Sequence, residues 1–165
     1  MSYQVKKTVT SIVTGILVLA AYTIYVFGKV HAGAAAPDNL KFWATAILIF
    51  IGIGIAVSIV IQIVFHILLS ISIAVKKKIQ DEKCEDKEIE KNIKAEMVED
   101  EMDKLIQMKS MRLAFIFAGI GFIAALVSLV LNSSPAVMLN ILFISFSAGS
   151  LFDGFAQLYY YRRGL

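Results

Sequence analysis

The stretch FWATAILIFIGIGIAVSIVIQIVFHILLSISIAV, Phe42 to Val75, runs for 34 residues without an Asp, Glu, Lys or Arg. As a helix rising about 1.5 Å per residue it would be about 51 Å long. The hydrocarbon core of a bilayer is about 30 Å thick and needs about 20 apolar residues to cross. No Gly or Pro lies between Gly54 and Gly119, so nothing breaks the helix where the lipid ends. The stretch predicts a membrane-spanning helix that continues past the far face of the bilayer.

The composition agrees. Of 165 residues, 58% are hydrophobic, where a soluble domain carries about 45–50%, and the mean hydropathy is +0.75. Three more apolar segments accompany the long one. In lipid each span must satisfy its own backbone hydrogen bonds, which selects helices. Alternating strand patterns of about ten residues are absent, which argues against a barrel.

The net charge of +3 conceals a segregation. Fourteen of the sixteen Lys and Arg fall at Lys6–Lys7, between Lys76 and Arg112, and at Arg162–Arg163. Basic residues at span ends mark the cytoplasmic side. This predicts both termini inside and two short outer loops. The expected architecture is an all-α integral membrane four-helix bundle forming a single domain, 1–165. Its spans fall at about 8–28, 42–75, 113–131 and 136–161, and a cytoplasmic amphipathic helical segment at 76–112 joins spans two and three.

Several local signals mark the boundaries. Tyr22, Tyr25 and Phe27 lie toward the outer end of the first span, where aromatics favour the interface. Two lysines, an apolar run and small residues near Ala34–Ala36 also resemble a secretory signal, but the apolar part is long for one. Asp38 or Asn39 is expected to cap the second helix, followed by Phe42 and Trp43 as interface anchors. Eleven of the thirteen acids lie between Gln80 and Asp103. There Ile89, Ile93, Met97, Met102 and Leu105 recur at roughly helical spacing, as on an amphipathic helix that lies on the membrane or projects as a stalk. Asp100 with Asp103 resembles a capping box, so a helix is expected to start near Glu101 and run straight into the third span. Asn132-Ser133-Ser134-Pro135 reads as a tight outer turn. The fourth span ends in Tyr159-Tyr160-Tyr161-Arg162-Arg163, an aromatic belt with a basic stop.

The segment Asp100-Glu101-Met102-Asp103-Lys104-Leu105-Ile106, the span behind it and the ending Tyr159-Tyr160-Tyr161-Arg162-Arg163-Gly164 resemble a family of small, uncharacterised four-helix membrane proteins of bacteria. That family carries an Asp-Glu-Arg-Asp-Lys-Leu-Ile type of segment before its third span. Met102 stands here in place of the Arg. The resemblance covers roughly the second half of the chain. It implies a bacterial inner-membrane protein and brings no activity with it.

Polar groups within the spans are the candidates for chemistry, because lipid makes them costly. Ser58, Gln62, His66 and Ser70 recur every four residues along the second span. Asp153, the only acid in any span, lies in the fourth with Ser150 and Gln157. By rise per residue, Gln62, His66, Asp153, Arg112 and Lys7 all lie about 25–36 Å from the outer edge. They are expected to share one layer near the cytoplasmic boundary, with Asp153 meeting Arg112, His66 or Lys7. This layer of Gln62, His66, Arg112, Ser150, Asp153 and Gln157 is either a polar clamp between helices or a proton or cation site. The spacings Gly52-x-x-x-Ala56, Gly54-x-x-x-Ser58, Gly121-x-x-x-Ala125 and Ser150-x-x-x-Gly154 suit close helix packing.

No phosphate-binding Gly loop, zinc-ligand spacing or nucleophile elbow occurs, and Cys84 has no partner cysteine. The expectation is therefore no enzyme, no cofactor and no metal. The cluster Lys76–Lys78 favours anionic lipid over nucleic acid. Two functions remain. One is a small non-catalytic membrane protein that binds a protein partner or self-associates through its charged cytoplasmic segment, by the face Ile89, Ile93, Met97, Met102 and Leu105. The other is a transporter or channel subunit using the polar layer.

Overall fold

The computed structural model describes residues 3–33, 36, 39–80 and 100–164, the side chains at 69, 73 and 76–80 excepted. Among the described residues the chain forms four helices: α1 (Tyr3–His31), α2 (Leu40–Gln80), α3 (Glu101–Val130) and α4 (Pro135–Arg163). No strand occurs among the described residues. The architecture is an all-α four-helix bundle, and each helix is long and apolar enough to cross a membrane.

The helices outrun the apolar segments that announced them. Hydropathy marks where lipid would end, whereas a helix ends where its hydrogen bonds are intercepted. Lysines are good helix formers, so α2 continues through Lys76–Lys78 to Gln80. Of the segment expected at 76–112, residues 76–80 belong to α2 and 101–112 to α3. Ile89, Ile93 and Met97 lie outside the described residues.

The predicted caps are present. Asn39 Oδ1 accepts from the Phe42 amide at 3.1 Å, starting α2. Asp100 Oδ1 accepts from the Asp103 amide at 2.7 Å, and Asp103 Oδ2 accepts from the Asp100 amide at 3.1 Å. This reciprocal box opens α3, which runs unbroken into the apolar stretch. The α3–α4 turn reverses at Asn132, whose φ of 58° is a left-handed value that Asn tolerates. Pro135 then sits in the first turn of α4.

Contacts at the two ends fix the threading as up-down-up-down. At one end Trp43 is buried against Ala136, Val26 and Leu139, and its indole donates to the Ala36 carbonyl at 3.2 Å. At the other end the Tyr161 phenol donates to Asp103 Oδ1 at 2.8 Å. Trp43 and the tyrosines at 159–161 therefore lie at opposite ends, as the sequence requires.

The helices pack unequally. α3 and α4 form the most extensive pair, α1 packs on α4, and α2 leans chiefly on α1. Small residues make the close approaches. A Cβ at Gly121 would overlap Ser145 on α4. One at Gly149 would come within 2.9 Å of the Ala114 carbonyl, and one at Gly154 within 2.5 Å of Ile12 Cγ1. Phe117 stacks on Phe152 with ring centroids 4.2 Å apart. Of the four predicted small-residue pairs, Gly121 with Ala125 is buried in the α3–α4 contact. Gly52 meets nothing, and Gly54 only brushes Val18.

Tyr22 is 2% exposed, its ring turned into the bundle. A phenol in such a place needs an acceptor, and Asn140 on α4 supplies one.

Candidate functional site

Gln4, Thr8 and Ile12 recur every four residues along the buried face of α1. Asp153, Gly154 and Gln157 occupy one turn of α4 opposite them. With no side chain at Gly154, Ile12 can settle on α4 and bring the polar groups on either side within reach. Thr8 Oγ1 contacts Gln157 Oε1 at 3.1 Å and the Gln4 carbonyl at 2.9 Å, its one hydrogen serving two acceptors. Gln157 then donates from Nε2 to Asp153 Oδ2 at 3.1 Å. Thr8 thus turns the Gln157 amide so that its nitrogen faces the carboxylate.

Asp153 Oδ1 is buried and has no hydrogen-bond partner, and Gln4 Nε2 is in the same position. Gln4 is 6% exposed overall. Both residues line a cavity of about 220 Å³. Lys7, Ser11, Gln107 and Ser150 complete much of its wall. A buried polar atom without a partner costs about 1–3 kcal/mol. Gln4 and Asp153 thus line the cavity while each keeps one buried, unpartnered atom beside it.

The cavity adjoins a larger groove of about 800 Å³ between α1, α2 and α4. Ser11, Ser150 and Leu151 line both. One face of α2, from Ile47 through Phe50, Gly54 and Ser58 to Gln62, forms a wall. Phe143, Phe146 and Ser147 of α4 stand opposite. The groove is apolar toward Trp43 and grows polar toward Ser58, Gln62 and Ser150.

The expected layer is only partly assembled. Asp153, Gln157 and Ser150 meet on one cavity. Gln62 is exposed and faces a crevice with Lys7, Thr10, Ser11 and Thr14. His66 is also exposed, hydrogen-bonds the Tyr3 phenol and meets its ring edge-on at 5.4 Å. Arg112 is exposed, and among the described residues no ion pair joins it to Asp153. Rise per residue gives depth but not azimuth. Arg112 is two residues from the buried Ser110, about 200° around α3. The partner that Asp153 takes instead is one turn along its own helix.

The sequence reading missed Gln4, Thr8 and Gln107, although a polar residue every four positions in the opening turns of a span was a usable signal. Of the predicted partner face, Met102 and Leu105 are exposed on the first turns of α3. No group of three His, Cys, Asp or Glu residues suited to a metal occurs among the described residues. Compared with models of protein families, curated proteins and solved structures, the chain matches none.

Proposed function

We propose that the chain is a non-catalytic, multi-pass protein of the bacterial inner membrane, a transporter or channel subunit with a proton or cation site at Asp153. The buried, unpartnered Oδ1 of Asp153 beside a cavity of about 220 Å³ carries this reading. An acid within a span is expensive unless it serves a purpose, and a plain clamp would leave neither oxygen unused. Both termini are cytoplasmic in this reading. Its support is that Lys6–Lys7, Lys76–Lys78 and Arg162–Arg163 fall at the same end of the bundle. The compartment follows the family resemblance of the second half.

The test is ion flux into vesicles holding the purified protein, under an imposed potential, with internal dyes for protons and for sodium. Wild type should exceed empty vesicles, and Asp153→Asn should abolish the excess while keeping its helical signal. Wild-type flux in a folded Asp153→Asn protein, or no flux from wild type, sinks the reading.

A second reading has its own observation. Met102, Leu105, Met108 and Met111 are all exposed on the opening turns of α3, and flexible thioethers suit adaptable contact surfaces. Together with Ile89, Ile93 and Met97 they would form a face for a protein partner or a second copy. A pull-down from membranes, with and without residues 80–98, tests it. Identical partners in both samples would rule it out.

A further inference from the structure

Lys29 and Lys41 are the two basic residues that stand apart from the clusters at Lys6–Lys7, between Lys76 and Arg112, and at Arg162–Arg163. The structure brings them to one corner at the Trp43 end. Lys29 Nζ lies 5.8 Å from the centroid of the Tyr25 ring. Tyr25 and Lys41 line one pocket of about 270 Å³ between α1 and α2, which shares no lining residue with the groove. Its polar groups are set to donate. Asn39 Oδ1 already accepts from the Phe42 amide, which leaves the Asn39 NH2 over. Thr8, Thr10, Thr14 and Thr23 each turn their hydroxyl to the carbonyl four residues back. Thr45 does not. Among the described residues its hydroxyl, the Tyr25 phenol and the Lys41 ammonium have no hydrogen-bond or ion-pair partner. No carboxylate lines the pocket. Asp38, the one acid in the first 80 residues, lies outside the described residues, and its single charge is less than two lysines carry. Past the donors the lining turns apolar through Phe42, Ala46 and Ile49, about 12 Å along α2 from Lys41.

We infer that this pocket holds the phosphate of a net-anionic phospholipid. Lys41, Asn39, Thr45 and Tyr25 donate to its oxygens, Lys29 adds charge, and an acyl chain follows Ile49. A soluble anion would use the donors and leave the apolar floor bare. A zwitterionic lipid brings the same phosphate with a quaternary ammonium, which two lysines repel. The pocket is separate from Asp153, and the inference does not rest on that residue.

The experiment uses Trp43, the one tryptophan of the chain, two residues from Lys41. The full chain is placed in vesicles of equal parts phosphatidylglycerol and phosphatidylcholine, with bromine in the tails of one lipid and then of the other. Quenching of Trp43 in wild type should favour phosphatidylglycerol by roughly fivefold in relative affinity, the scale of one lysine at an anionic lipid. Lys29→Gln with Lys41→Gln should bring the two labels to parity. Tyr25→Phe, which keeps the ring against Phe50, should lower the preference less. Lys76–Lys78 lie about 50 Å along α2 from Trp43, so changing all three to Gln should leave the preference intact. Equal quenching by the two labels in wild type overturns the inference, and that arm needs no variant to fold. A preference that survives in the double variant overturns it too. Inorganic phosphate at matched ionic strength should change nothing. If it erases the preference, the pocket belongs to a soluble phosphate and the lipid is removed.

Discussion

The Tyr22 phenol donates to Asn140 Oδ1 at 2.6 Å, and Asn140 Nδ2 donates in turn to the Ala136 carbonyl at 2.8 Å. Tyr22 also lies against Phe143 at 4.4 Å and edge-on to Phe50 at 5.3 Å between ring centroids. One side chain of α1 therefore touches both α2 and α4 near the Trp43 end. Tyr22→Phe keeps the ring contacts and strands the Asn140 oxygen. The expected loss is about 1 kcal/mol, between the average interhelical hydrogen bond in membranes and a fully orphaned acceptor. Thermal unfolding in detergent measures it. Adding Asn140→Leu should recover part of the loss, because both partners are then apolar.

Gly119 and Gly121 lie two residues apart on α3 and should respond oppositely to alanine. A methyl at Gly121 overlaps Ser145, so the α3–α4 pair must separate, at a cost of about 1–3 kcal/mol. A methyl at Gly119 meets nothing within 4 Å, and its better helix propensity should leave stability unchanged or raise it by up to about 1 kcal/mol. Parallel melting curves decide. Equal losses at both positions would mean that the interface is not the one described.

Asp103 has two duties, with one oxygen on the Asp100 amide and the other on Tyr161. Asp103→Ala should lower stability by about 1 kcal/mol through the cap alone. Tyr161→Phe should cost less, and the double variant no more than the sum. Amide hydrogen exchange over the first turn of α3 should accelerate in Asp103→Ala and stay unchanged in Tyr161→Phe.

Gln157 holds the second oxygen of Asp153, and Thr8 orients Gln157. If Asp153 carries a cation, Gln157→Leu should reduce flux several-fold, the worth of one hydrogen bond of about 0.5–1.5 kcal/mol. Thr8→Val should reduce it less, since it acts only by turning the amide. Equal fluxes in all three proteins would detach the Thr8–Gln157 chain from the site.

How much of this was legible depended on the kind of information. The 34-residue uncharged run and the end charges gave the number of helices and their alternation, because hydropathy and charge are one-dimensional quantities. The Asp100–Asp103 box was readable because a cap is local. Depth was readable too: Lys7, placed at the depth of Gln62 and Asp153, shares a lining with each of them. Azimuth was not. Two residues' difference carried Arg112 to the far side of α3, and only packing against α4 decides which side faces inward. The burial of Tyr22 was hidden for a related reason: its acceptor, Asn140, lies on another helix, 118 residues along the chain.

α2 runs unbroken from Leu40 to Gln80, about 62 Å, twice the thickness of a hydrocarbon core. It meets α4 around Trp43 and Ala136, and farther along the groove lies between them. Such a rod is a lever with its fulcrum beside Trp43. Were residues 76–80 displaced sideways, the gap between Gln62 and Ser150 would change width, and the Tyr3–His66 contact that ties this length of α2 to α1 would have to give.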